Sequence, residues 1–75
     1  MFTVSLRNAD HTREYSIHAR GVSGWQVRIE ADHELARETW YHDWHRVERV
    51  LDEFAREVHA LTKQGWVLDG APLEV

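Results

Sequence analysis

Six histidines in 75 residues are the compositional oddity of this chain. Two of them fall where they could act together. His42 and His45 are three apart, with Glu38, Glu48 and Asp52 close in sequence. Imidazoles and carboxylates at such spacing could hold a divalent metal. The competing account is simpler. His45, Glu48 and Asp52 would share one exposed helix face, and no HExxH or comparable signature is present. Part of the segment also reads as strand, which takes His42 out of helical spacing. His59 lies about 21 Å of helix rise from His45, so those two cannot share an ion. His11 and His33 occupy predicted turns. No metal and no cofactor is expected.

Nucleophilic and acid–base chemistry fare no better. Ser5, Ser16 and Ser23 lack a GxSxG context, and the chain has no cysteine. Paired carboxylates crowd onto a solvated helix face, where nothing would raise a pKa by burial. A single small core that uses most of the apolar residues leaves little room for an enclosed pocket of about 300–1,000 Å³. No catalytic residue is assigned, and the expectation is that the protein is not an enzyme.

Binding remains. An open sheet face that displays Arg7, His18, Arg20, Arg28 and Arg37 could take single-stranded nucleic acid, with Tyr41 among them as a stacking group. Against this stands a formal net charge of -4, from 13 acidic and 9 basic side chains. Phosphate-binding proteins carry the opposite balance. An antiparallel sheet with one wet face must in any case be polar there. Glu14 and Glu30 share that face and could pair with the arginines. Trp25, Trp40, Tyr41 and Trp44 cluster instead where a hairpin meets the helix start. Tryptophan, tyrosine and arginine dominate protein interfaces, and these four are the candidate contacts for a protein partner or a homodimer. The same rings could simply plug the open end of the core. The expected function is thus a small binding module for a protein, with nucleic-acid binding as the alternative and no membrane partner.

The elements that must position these groups are legible in the hydrophobic pattern. Phe2, Val4 and Leu6 alternate with polar residues over 2–7, as do Tyr15, Ile17 and Ala19 over 14–20, and Trp25, Val27 and Ile29 over 25–31. That is the period of half-buried strands. A fourth strand is expected at 35–41, with Ala36 and Trp40 inward and Arg37 outward. Turns fall at 8–12, at 21–24 and at Asp32-His33. Short connections favour an antiparallel meander.

The segment 43–64 carries Trp44, Val47, Leu51, Phe54, Val58 and Leu61 at spacings of three and four, the period of one helix face. Asp43 suits the N-cap, and Gly65 suits the left-handed residue of a Schellman turn. With Val50 and Ala55 at its margins the apolar arc spans about 140°, too wide for a two-stranded coiled coil and suited to a sheet. His45, Glu48, Arg49, Asp52, Glu53, Arg56, His59 and Lys63 form the wet face.

The expected fold class is therefore α+β, in two layers: a four-stranded antiparallel meander covered on one face by one long C-terminal helix. A short extended piece after the helix is possible, followed by a turn at 69–72 and a fraying tail within 69–75. A sheet followed by a long helix that ends in Gly65-Trp66 resembles the layout of WGR domains. The motif that names that family is absent, Gly24-Trp25-Gln26 being the nearest match, and no residue role follows from the likeness. One domain over 1–75 is expected, without a basic n-region and apolar stretch at its start or a run of transmembrane length. Lack of cysteine and of an export signal makes a cytoplasmic location the default expectation.

Overall fold

The alternation of Phe2, Val4 and Leu6 with polar residues produces a strand whose apolar side chains leave one face. In the computed structural model, which describes residues 2–68, this is β1 (Phe2–Asn8). It turns through Ala9-Asp10 into β2 (His11–Ala19), setting Phe2 opposite Ile17, Val4 opposite Tyr15 and Leu6 opposite Arg13. One turn of 3₁₀ helix (Gly21–Ser23) leads to β3 (Trp25–Ala31), which lays Val27 beside Ile17 and Ile29 beside Tyr15. Asp32 and His33 both take positive φ, 54° and 67°. That two-residue turn matches strand twist and sends β4 (Glu34–Tyr41) back along β3. The helix α1 (Trp44–Lys63) follows, and then β5 (Val67–Leu68), which pairs with Arg7 and Leu6. The sheet order is β4-β3-β2-β1-β5.

The α+β class and the antiparallel meander with its single helix are as expected, with β5 as a two-residue addition. Most boundaries shift by one residue at most, but β2 begins at His11 rather than at residue 14, because Ala9-Asp10 alone makes the turn. The turn at 69–72 and the tail lie outside the described residues.

The core forms between the layers. Val4, Leu6, Tyr15, Ile17 and Val27 come from the sheet, and Val47, Val50 and Phe54 from the helix. Phe54 is the bridge, its ring centroid 4.8 Å from Tyr15 and 6.3 Å from Phe2. The helix is turned toward Val50, which the sequence pattern puts at the margin of the arc but which is buried. At 100° per residue Val47, Val50 and Phe54 then face the sheet, and Trp44 and Ala55 rise on the far flank. Both ends are closed as their residue types dictate. Asp43 Oδ1 accepts from the His45 amide at 3.0 Å. Gly65 takes φ 100°, its amide donates to Thr62 and that of Trp66 to Leu61, the two bonds of a Schellman turn. Beyond it Trp66 packs on the core, and the Arg13 guanidinium lies 5.3 Å from its ring.

The fourth strand departs from expectation. Ile29 faces Arg37 but Glu30 faces Leu35, so Ala36 is an extra residue, a β-bulge. Downstream of it Arg37, Thr39 and Tyr41 lie on the helix side, opposite Ile29, Val27 and Trp25. Trp40 and Glu38 lie on the open side, opposite Gln26 and Arg28. The inward placement of Ala36 and Trp40 is thus corrected, and so is the outward placement of Arg37 and Tyr41. A bulge shifts parity by one residue, and ELARETWY alone does not show where the extra residue is spent.

Candidate functional site

Four aromatic residues come from three elements that meet at one end of the molecule. Trp25 opens β3, Trp40 and Tyr41 close β4, and Trp44 begins α1. Gly24 lets them meet. It takes φ 90°, and a Cβ there would overlap the Tyr41 carbonyl oxygen, so only glycine allows the two strand ends to close up. Trp25 and Trp44 then stand 5.5 Å apart between ring centroids with planes at 53°, a tilted pairing of the kind aromatic quadrupoles favour. Tyr41 lies beside Trp25 on the same side of the sheet and is half-buried. Trp44 remains 48% exposed, so the contact with Trp25 covers only part of it.

Trp40 does not join this group. It emerges on the open face, 44% exposed, next to Gln26. There the polar side chains are already linked to one another. Arg20 Nε donates to Gln26 Oε1 at 2.9 Å, and Gln26 Nε2 donates to Glu38 Oε2 at 2.8 Å. Arg28 Nε sits 3.5 Å from the same carboxylate oxygen. That nitrogen is buried and makes no hydrogen bond, so the ion pair alone compensates it. Gln26 and Ser16 are buried although they belong to the open face, because long neighbours lie across them.

The five residues considered for nucleic acid divide accordingly. Arg7, His18 and Arg28 lie on the open face, Arg20 reaches it through Gln26, and Arg37 is on the helix side. Glu14, Glu30 and Glu38 share that face, so three arginines meet three glutamates and no net positive field results. Glu14 takes a bond from Ser5 Oγ at 3.1 Å rather than from an arginine. These two residues, with Thr12, Glu30 and His33, line a shallow cavity of about 240 Å³, below the usual range for small-molecule sites.

Two of the histidines, His45 and His11, make local side-chain contacts. His45 Nδ1 lies 3.2 Å from Glu48 on the exposed helix face. His11 Nδ1 lies 3.3 Å from Asp32, whose other carboxylate oxygen accepts from the Thr12 amide at 3.0 Å. The Thr12 bond, helped by His11, holds the Asp32 carboxyl below its ordinary value. Asp32 is thus a latch between the β3–β4 turn and the start of β2, and sequence reasoning read it only as a turn residue. Its signal was the two-residue turn, which requires an aspartate or similar residue at positive φ. Among the described residues no three histidine or acidic side chains converge to hold a metal ion. None of the described helices is long and apolar enough to cross a membrane.

The backbone supplies the last feature. β4 ends the sheet, so among the described residues no strand lies beside its outer edge. Six of its eight residues are exposed. The opposite edge differs, since β5 covers Leu6 and Arg7 of β1. Compared with family models, curated proteins and solved structures, the chain shows no match to any.

Proposed function

We propose that this chain is a small, non-enzymatic, cytoplasmic binding module that contacts another protein through β4 and the aromatic end of the sheet. One observation carries the reading: an eight-residue edge strand, six residues of it exposed, runs into two tryptophans that are each nearly half exposed. Unpaired strand edges are templates for another chain. Half-exposed tryptophans gain most when a partner covers them. Trp40 and Trp44 are the anchors, and Trp25, half-buried beside Tyr41 against the core, supports Trp44.

This division selects the test. Replacing Tyr41 would damage packing, whereas Trp40→Ser removes a ring from the open face and Trp44→Ser gives up, besides its exposed half, the contact with Trp25. Affinity capture from the native cell extract is compared between the parent and the double variant, with circular dichroism as the check on folding. A stoichiometric partner that the double variant loses is the expected result. Identical captured sets, or none for either protein together with a strictly monomeric parent, would defeat the reading.

The rival is single-stranded nucleic acid on the open face, and the outward Trp40, on the same face as His18 and Arg28, favours it. It requires amide shifts at Arg7, His18 and Arg28 on adding an oligonucleotide, weakening as salt rises. The balanced charge of that face supports the protein reading instead, and no shifts at low salt are expected.

A further inference from the structure

The outer edge of β4 is regular only beyond its bulge. Ala36 interrupts the ladder, and 37–41 then runs without a break to the strand end, with Thr39 at its midpoint. We propose that a second copy of this chain pairs with this stretch, antiparallel, about a two-fold axis at Thr39, so that two sheets become one. This rests on the protein-contact reading above and names its partner.

Symmetry restricts the pairing. A two-fold axis between antiparallel edge strands stands perpendicular to the sheet, keeps both helices on one side and sets one residue opposite its own copy. With Thr39 at that point, Arg37 faces Tyr41 of the second copy on the helix side, and Glu38 faces Trp40 of the second copy on the open side. Threonine opposite threonine is a favourable cross-strand pair, and a guanidinium over a tyrosine ring is attractive. Other centres do worse. An axis at Glu38 opposes two carboxylates and one at Arg37 two guanidiniums, both repulsive. An axis at Trp40 keeps only residues 39–41 within the paired strands. Thr39 is the centre that uses the whole regular stretch without opposing like charges. Glu38 is also suited to its place, since Gln26 and Arg28 already hold its carboxylate. The exposed flank of Trp40 would be covered on pairing.

The absence of cysteine makes the test direct. Thr39→Cys introduces a sole thiol, and directly opposed residues lie about 4.5–5.5 Å apart between Cα atoms, within disulfide reach. A mild oxidant such as diamide should give a covalent dimer from Thr39→Cys and little from Val22→Cys, which is fully exposed but off the edge. Light scattering of the parent across micromolar concentrations should show a reversible dimer. Thr39→Lys should weaken it at least about tenfold by opposing two ammonium groups, and Thr39→Ser should not, with circular dichroism checking the fold of each.

Equal cross-linking at positions 39 and 22, or a dimer indifferent to Thr39→Lys, overturns the strand pairing. If that dimer is instead lost with Trp40→Ser and Trp44→Ser, the protein-contact reading survives. A monomer that captures a different protein through its tryptophans overturns the self-pairing alone. A monomer that captures nothing overturns both.

Discussion

Gly24 and Ala9 are opposite solutions to the same backbone demand. Gly24 holds φ 90° where a side chain would strike the Tyr41 carbonyl, and Ala9 holds φ 54° in the β1–β2 turn despite its Cβ. Left-handed conformation costs an ordinary residue about 1–2 kcal/mol. Gly24→Ala is therefore expected to destabilise by roughly 2–3 kcal/mol, the strain and the clash together. Ala9→Gly should stabilise by about 0.5–1 kcal/mol, the relief of strain less the added chain entropy. Urea denaturation of both variants measures these differences, and the opposite signs are the critical result. The Gly21-Val22-Ser23-Gly24 connection is readable in the sequence as a turn in which either glycine could take positive φ. That Gly24 is the indispensable glycine was not, because the carbonyl it meets lies on a strand end 17 residues later in the chain.

At the scale of elements, α1 is the most local structure in the molecule. Its caps are set by residues within a few positions of its ends, which is why Asp43 and Gly65 could be assigned from sequence. Asp43→Ala should cost about 1 kcal/mol of stability by exposing the first-turn amides, again read from urea denaturation. No change would mean that Trp44 packing alone fixes the helix start. β4 is the contrast. Its composition reads as strand, but its pairing depends on where one residue is left out of the ladder, and only β3 and the Asp32-His33 turn decide that. The same bulge that moved Trp40 to the open face also confined the regular edge to 37–41.

For the molecule as a whole, two groups at opposite ends of the pH scale are expected to shape its stability curve. The Asp32 carboxyl is held below its ordinary value of 3.8, first by the Thr12 amide and then by His11. A depressed carboxyl stabilises the fold above its unfolded value, and that contribution disappears as pH falls through the lower folded one. Asp32→Asn should accordingly flatten the acid limb of a pH–stability curve below pH 4. The Tyr15 hydroxyl is pushed up from 10.0, first by burial, against the lowering effect of its bond to Arg13. A raised phenol stabilises the fold below its unfolded value, so stability falls as pH rises past 10 through the folded value. Tyr15→Phe should remove that alkaline decline at the cost of the Arg13 bond. Thermal melts from pH 2 to 11 test both limbs (range set by these two groups); limbs unchanged in the variants would show that other groups set the limits.

What sequence alone determined was whatever depends on near neighbours and periodicity: α+β class, three strands with their inward sets Phe2-Val4-Leu6, Tyr15-Ile17 and Trp25-Val27-Ile29, the helix with both caps, and a wet helix face. Those features follow from side-chain alternation and terminal hydrogen bonds, which a few consecutive residues fix. Tertiary structure decided the rest. The bulge at Ala36 chose the face for Trp40, the Gly24–Tyr41 approach brought Trp25 toward Trp44, and the position of β4 at the end of the sheet left its edge open. Each of these depends on residues far apart in the chain meeting at one place. Periodicity carries no record of such meetings, so Arg37, Trp40 and Tyr41 could be named as candidates from sequence but not assigned to their faces.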